Sequence, residues 1–285
     1  MDQESLRWWL SPATLGLLGL VIGSFLNVVI HRLPLMLERQ WRRDSAEMLG
    51  QPLPEEGPPL NLIRPGSRCP HCERPVRWHE NIPVLGWLLL RGRCAGCRQP
   101  ISLRYPVIEL LTGTLFALAA WRIGPQWPVL LWCAFLAVLV VLAFIDWDTT
   151  LLPDDLTQPL LWGGLIVSAL GWTVPLPSAL WGAVAGYLAL WGVYWLFKLT
   201  TGKEGMGYGD FKLLAAIGAW LGPSMLLPVL IGASVLGTAV GLVMKASGAL
   251  REGRYVPFGP FLAGAGGAVF LLGTQTVLEW LGFGF

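Results

Sequence analysis

Residues 127–146 read WPVLLWCAFLAVLVVLAFID, an uncharged run that ends in an aspartate. A transmembrane helix needs about 20 predominantly apolar residues, so this stretch is long enough to cross a bilayer. Asp146 stands where such a helix would meet the membrane surface. An acidic side chain is costly to keep at that position and is therefore a candidate functional residue. The stretch predicts a membrane helix with a candidate site at one end.

The rest of the chain has the composition of a membrane protein. Of its 285 residues, 54% are hydrophobic and 13% are charged, whereas about a quarter of residues are charged in soluble domains. A soluble protein with buried core helices is excluded, because the long apolar runs leave no polar face to contact water. The stretches without Asp, Glu, Lys or Arg are 8–30, 123–145, 156–197, 213–244 and 255–278.

These runs predict eight transmembrane helices. The run 156–197 is long enough for two helices with a turn near Gly171–Ser178, and 213–244 for two if the chain turns at Gly222-Pro223. The expected spans lie near 10–30, 105–121, 127–146, 156–172, 179–197, 210–222, 224–244 and 258–282. The predicted fold is therefore an all-α polytopic membrane protein. Its expected parts are a first transmembrane helix (1–30), a polar loop (31–104) and a seven-helix membrane domain (105–285).

The basic residues predict the orientation in the membrane. The loop 31–104 holds 12 of the 20 Lys and Arg residues, so this loop is expected to be cytoplasmic. Both termini then face outward, and Asp146 and Asp210 share the cytoplasmic face. Further basic residues expected on that face are Lys198, Lys203, Lys212, Lys245, Arg251 and Arg254. A nucleic-acid partner is not expected, because no aromatic residues interleave with the loop arginines in a stacking pattern.

Four cysteines in the loop form a metal-binding pattern. Cys69-x2-Cys72 is followed after 21 residues by Cys94-x2-Cys97, close to the spacing of zinc ribbons. Two such pairs can place four thiolates in a tetrahedron around zinc. Residues 66–104 are therefore expected to form a small subdomain with a structural zinc, since so short a segment has little core of its own. The alternative is four unpaired thiols or a redox pair. His71 and His79 are expected at the surface or in packing, and Cys133 in apolar packing.

Asp146 and Asp210 are the candidate catalytic residues. Asp210 ends the sequence Gly207-Tyr208-Gly209-Asp210, whose glycines would permit close backbone approach and unusual dihedral angles. Two carboxylates close together in a partly desolvated site cannot both ionise easily, so the pair is expected to share a proton. One carboxylate could then activate water while the other donates a hydrogen bond to a peptide carbonyl. The alternative role for an acid at the end of a span is a helix cap or interface residue, and it suits Asp148, Asp154 and Asp155.

Further motifs stand in a fixed order along nearly the whole chain. They are Gly23-Ser24-Phe25-Leu26-Asn27-Val28, His31-Arg32-Leu33-Pro34, the four cysteines, Glu80-Asn81-Ile82-Pro83, Arg104-Tyr105-Pro106, Glu109-Leu110, the segment from Asp146 to Asp154, Lys203 to Lys212 and Pro257-Phe258-Gly259-Pro260. In these motifs and their order, the chain closely resembles the prepilin peptidases, the bifunctional type IV leader peptidases of bacterial pilus and type II secretion systems.

The resemblance implies an intramembrane aspartic protease of the inner membrane with Asp146 and Asp210 as its catalytic pair. It implies cleavage of the basic leader of prepilins and pseudopilins on the cytoplasmic side. It also implies methylation of the new N-terminal residue with S-adenosylmethionine, because the cysteine loop accompanies that second activity. No Gly-x-Gly-x-x-Gly fingerprint locates the methyl-donor site.

Two other functions compete with the protease. Paired membrane acids also serve as proton relays in transporters. Transporter sites, however, usually lie near the bilayer midplane, whereas both acids here stand at span ends. A zinc-bearing membrane scaffold without chemistry would leave the glycine-flanked Asp210 unexplained.

Overall fold

A computed structural model describes residues 3–53, 59–248, 256–280 and 282, and within them the protein is helical without a named strand. This confirms the all-α prediction. Arg251, Arg254 and residues 54–58 of the predicted polar loop lie outside the described residues. The helices are α1 Gln3–Trp9, α2 Pro12–Met48, α3 Leu85–Leu89, α4 Arg104–Ile123, α5 Val129–Thr149, α6 Asp154–Ala169, α7 Leu176–Thr201, α8 Tyr208–Leu221, α9 Leu226–Ala246, α10 Gly259–Leu272 and α11 Thr274–Trp280.

Among the residues that the structure describes, five helices are long and apolar enough to cross a membrane, namely α2, α4, α5, α7 and α9 with the short turn before it. The α10–α11 pair would make a sixth, although it bends by 105° at Gly273. The protein is thus a multi-pass membrane protein, but the predicted count of eight spans is not confirmed. The helix α6 has 16 residues and α8 has 14, which corresponds to about 24 Å and 21 Å of helix against a hydrocarbon core of about 30 Å.

The helix that contains the first predicted span, α2, is longer than that span. The apolar run ends near residue 30, but α2 continues through Pro34 to Met48. The extension is rich in Leu, Met, Glu and Arg, which favour helix in water as well as in lipid. The Glu38 and Arg42 side chains form an ion pair one turn apart on this extension. The end of an apolar run marks a change of solvent and not the end of a helix, so the expected bounds of the first span and the loop stay a prediction.

The chain divides into two compact units, Met1–Ala137 and Val138–Phe285. In the first unit, α2 and α4 pack closely through small residues. A Cβ atom at Gly19 or Gly23 would lie 2.8 Å or 2.7 Å from the α4 backbone. Asn27 donates from Nδ2 to the Tyr105 carbonyl at 3.2 Å. In membranes, such close packing and interhelical hydrogen bonds hold helices together, because lipid supplies little hydrophobic driving force.

In the second unit, α6 and α7 pack on α8, and every residue of α8 from Asp210 to Trp220 except Lys212 is buried. The backbones of α7 and α8 approach so closely at Gly182 and Gly218 that neither position has room for a side chain. From α8, the Trp220 indole donates to the Leu160 carbonyl of α6 at 2.8 Å. The short helix that carries Asp210 is therefore held rigidly from two sides.

Candidate functional site

Asp146 lies in the last turn of α5, where its side chain is buried. Its Oδ2 accepts a hydrogen bond from the backbone N–H of Gly259, the first residue of α10, at 2.9 Å. After α5 the chain turns sharply at Thr150, which has φ of 53°. A β-branched residue is rarely found in this region, so the turn is locally strained. This strained turn leads directly into Leu151 and Leu152.

Asp210 lies in the first turn of α8 and is also buried. A carboxylate is electrostatically favoured there by the partial positive charge of the helix N-terminus. A Cβ atom on Gly209 would lie 2.7 Å from the Cβ of Leu152, so the missing side chain lets the two aspartate-bearing segments touch. This is the close approach expected of the motif. The unusual dihedral angles are not found, since none of the motif glycines has φ in the left-handed region.

The two aspartates line one cleft of about 420 Å³. Its wall consists of three segments, namely the end of α5 with the turn at Thr150–Leu152, the loop Glu204–Asp210, and Val256–Phe258 before α10. Within the described part of the chain, Oδ1 of Asp210 is buried without a hydrogen-bond partner. A buried polar atom without a partner costs free energy unless water or a ligand satisfies it. The arrangement can therefore hold a water or a substrate carbonyl between two carboxyl groups.

Lys212, two residues after Asp210, forms an ion pair with Asp154. Its Nζ donates to both carboxylate oxygens of Asp154 at 2.7 Å and 2.8 Å. The pair joins the start of α6 to the second turn of α8, so Lys212 helps align these helices. Asp155 lies beside Asp154 on the exposed side of α6.

Glu204, on the rim of the cleft, belongs to a second polar group. The Lys198 ammonium donates to its carboxylate at 2.8 Å and to the Tyr194 hydroxyl at 3.1 Å. The Tyr194 ring is buried against Tyr208 and Phe211. Lys198 lowers the pKa of Glu204 through a hydrogen bond and its charge. The loop before Asp210 is thus anchored to the end of α7.

The four loop cysteines form one cluster in the first unit. Their sulfur atoms all lie within 4.8 Å of one another, with Cys69 and Cys97 at 3.7 Å and Cys72 and Cys94 at 3.9 Å. A tetrahedral zinc with sulfurs at about 2.3 Å holds them about 3.8 Å apart. The cluster therefore fits zinc. The histidines lie outside it as expected, since His71 and His79 are both exposed, and Cys133 is buried in α5.

The two cysteine pairs have the same local backbone. In each pair the first cysteine accepts from the residue four positions on, Cys69 from Glu73 and Cys94 from Arg98, both at 2.9 Å. Glu73 and Arg98 both have positive φ, 55° and 59°. Isolated bridges flank the pairs, Arg68 to Pro75 and Arg93 to Pro100. Local chain geometry alone thus builds two matching half-sites.

Backbone N–H groups favour the thiolate form of the first cysteine in each pair. Those of Cys97 and Gly96 lower the pKa of Cys94 to about 6, and those of Cys72 and His71 lower the pKa of Cys69. The pKa of Cys97 is raised to about 11 by burial and by its neighbouring sulfurs, despite a backbone N–H from Gln99. Zinc binds the thiolate, so these donors prepare the cluster for a metal ion.

Comparison with known proteins identifies the family. Residues 17–123 match the Bacterial Peptidase A24 N-terminal domain, and residues 133–242 match the Type IV leader peptidase family. The chain is 51% identical to the prepilin leader peptidase/N-methyltransferase of Aeromonas hydrophila over 95% of its own length and 94% of the relative's. The chain belongs to the type IV leader peptidase family. Both aspartates of the cleft lie in the part that matches this peptidase family, which favours the protease over the transporter.

Other relatives of the same name extend this similarity. The relative from Stutzerimonas stutzeri is 50% identical over 93% of this chain and 92% of its own length. That from Neisseria gonorrhoeae is 50% identical over 89% and 87%, respectively. No solved structure matches this type IV leader peptidase.

Two residues, Gly259 and Glu109, make hydrogen bonds in the structure that the sequence did not indicate. Gly259 appeared only as part of a motif, yet its N–H contacts Asp146. Glu109 is buried in α4 and accepts from the N–H of Val84 at 2.7 Å, where Val84 has φ of 62°. An acidic residue inside an apolar helix is the signal that could have pointed to Glu109.

Proposed function

We propose that this type IV leader peptidase cleaves the basic leader of prepilins and pseudopilins and then methylates the new N-terminal residue. Asp146 and Asp210 are proposed as the catalytic pair. The observation that supports this most directly is the cleft in which both side chains are buried, with Oδ1 of Asp210 unpartnered within the described chain. The names of the relatives, which cover most of both chains, support the pairing of the two activities.

In the proposed reaction, one carboxylate accepts a proton from water as the water attacks the scissile carbonyl. The other carboxyl group, still protonated, donates a hydrogen bond to the carbonyl oxygen. The shared proton of two close carboxylates supplies both forms at once. Because the cleft lies among helix ends, a substrate with a polar leader and an apolar helix can present its junction there while the helix stays in lipid.

The proposed topology places this cleft on the cytoplasmic side of the inner membrane, with both termini outside. The proposed domains are the first span (1–30), the cytoplasmic loop (31–104) and the seven-helix protease domain (105–285). The excess of basic residues in the loop supports this orientation. The helix α2 then carries the first span and continues into the cytoplasm.

We propose that Cys69, Cys72, Cys94 and Cys97 bind a structural zinc ion. The distances between their sulfur atoms support this assignment. When bound, zinc would cross-link the two half-sites of a segment that has little core of its own. Four sulfur ligands leave no open coordination position, so a catalytic role for the metal is not proposed.

S-adenosylmethionine is the proposed methyl donor. The methyl group would move from its sulfonium sulfur to the amine that cleavage exposes. The amine must be uncharged to attack the methyl group, so the site must also accept a proton from it.

The test is to incubate the purified full-length protein with a prepilin and labelled S-adenosylmethionine. The expected result is cleavage at the junction of leader and mature pilin, followed by transfer of label to the new N-terminus. Intact prepilin after incubation with folded protein would contradict the protease. Cleavage without label would contradict only the methyl transfer.

A further inference from the structure

The two aspartates of the cleft differ in their hydrogen bonding. Oδ2 of Asp146 has a fixed donor, the Gly259 N–H at 2.9 Å, whereas Oδ1 of Asp210 has no partner in the part of the chain described. Both side chains are more than nine-tenths buried, at 5% and 7% exposure. One carboxylate is therefore held by the protein, and the other has an oxygen free for water or substrate.

The Gly259 donor is available because of its position in α10. The N–H groups of the first helical turn have no acceptor within the helix. Gly259 opens this turn, and the next residue, Pro260, has no N–H to offer. The partial positive charge at the helix N-terminus adds to the attraction for a carboxylate. The bond joins residues 113 positions apart, so only the tertiary fold creates it.

Gly259 also leaves the space that the carboxylate occupies. A Cβ atom at this position would lie 2.5 Å from Oδ2 of Asp146 and 3.1 Å from its Cγ. It would lie 3.2 Å from Cδ1 of Leu152, which lines the same cleft. A separation of 2.5 Å is far inside van der Waals contact. Any side chain at residue 259 must therefore displace the Asp146 carboxylate or the start of α10.

We propose that Gly259 is a positioning residue for the aspartate pair, which holds Asp146 through its N–H and makes room for it by lacking a side chain. The inference rests on the proposed function of the pair. A backbone N–H can only donate, so Oδ2 of Asp146 acts as an acceptor. This bond disfavours a proton on Oδ2 of Asp146, so it favours placing the shared proton on one of the other carboxylate oxygens, among them the unpartnered Oδ1 of Asp210.

The first experiment compares Gly259→Ala with Gly264→Ala in the full-length protein. Gly264 is an exposed residue of the same helix, and a Cβ atom there meets nothing within 4 Å. A displacement of about 1 Å in a catalytic group can cost about 100-fold in rate. Gly259→Ala is therefore expected to lower kcat for prepilin cleavage by about 100-fold with KM changed less than about threefold. Gly264→Ala is expected to cleave like the wild type.

Cleavage by Gly259→Ala at the wild-type rate would overturn the proposal. If Gly259→Ala and Gly264→Ala lost activity equally, helix α10 would be generally sensitive and the specific role of Gly259 would be wrong. A wild-type protein that does not cleave would contradict the proposed function instead, and the second experiment would still test the contact.

The second experiment measures stability and does not depend on activity. Thermal unfolding is compared for Gly259→Ala, Asp146→Ala and the double variant. Residues in direct contact give non-additive effects. If the added methyl group collides with the Asp146 carboxylate, the fall in Tm caused by Gly259→Ala should shrink clearly in the Asp146→Ala background. The shift caused by Gly264→Ala should be the same in both backgrounds. Equal Gly259→Ala shifts in both backgrounds would reject the contact.

Discussion

The aspartate cleft and the cysteine cluster are built in opposite ways. The two aspartates stand 64 residues apart on helices α5 and α8, and packing buries both. The four cysteines lie within 29 residues on turns, and two of them are only half-buried while Cys72 is exposed. The cleft depends on helices that are already rigid. The cluster depends on short turns that a metal ion can cross-link.

This difference indicates how each region should respond to substitution. An aspartate can be replaced by asparagine with little effect on the fold, because α8 is held along its whole length by neighbouring helices. Replacing a cysteine removes one of four ligands from a segment with little core, so structure should be lost there. Substitutions of the aspartates should therefore affect the reaction, and substitutions of the cysteines should affect the stability of their segment.

The largest expected effect is on cleavage by the aspartate variants. Asp146→Asn and Asp210→Asn should each lower the cleavage rate at least about 1,000-fold, because removing one member of a catalytic unit costs nearly the whole rate. Asparagine keeps the size of the side chain but cannot accept the proton of the attacking water. The measurement is prepilin cleavage by protein whose thermal unfolding matches the wild type.

The matched control is Asp155→Asn, an exposed acid at the start of α6. It should retain cleavage within about threefold, since a surface charge near a site contributes little. If Asp146→Asn or Asp210→Asn cleaved as well as this control, the catalytic pair would be misassigned.

A smaller effect is expected in the cysteine cluster. The freshly reduced protein should contain about one zinc ion per chain, and Cys69→Ser or Cys94→Ser should lose much of it. Residues 66–104 should then be digested faster by added protease. Cys133→Ala is the control, since Cys133 is buried in α5 away from the other cysteines in sequence and should not change the metal content. Wild-type protein without zinc would reject the metal assignment.

The smallest expected effect is that of Asp146→Asn on methyl transfer. If the acids serve cleavage alone, this variant should methylate a pre-cleaved pilin at close to the wild-type rate. The measurement is transfer of label from S-adenosylmethionine to the pilin N-terminus, with Cys94→Ser as the variant expected to fail. Loss of methylation in Asp146→Asn would show that the two activities share one site, and the separation of chemistry from stability would no longer hold.

Much of the helical framework was predictable because membrane helices need long apolar runs. The break between α6 and α7, residues 170–175, overlaps the turn expected near Gly171–Ser178, and the turn at Gly222-Pro223 follows α8 directly. Helix lengths were not predictable in the same way. The helix α2 extends 18 residues beyond the apolar run because its polar extension also favours helix. The lengths of the short helices α6 and α8 depend on how they pack within the second unit, and hydropathy along the sequence does not contain that information.

The sequence by itself determined the helical class, the family resemblance and the cysteine cluster. Each of these depends on local pattern, namely the length of apolar runs, motif order and the spacing of two Cys-x2-Cys pairs. Only the tertiary structure decided which atoms surround the aspartates. The contact of Gly259 with Asp146, the ion pair of Lys212 with Asp154 and the contact of Gly209 with Leu152 all join segments distant in the chain. Such contacts depend on how helices pack, because hydrogen bonds and steric fit act at distances of a few ångströms that no sequence spacing specifies.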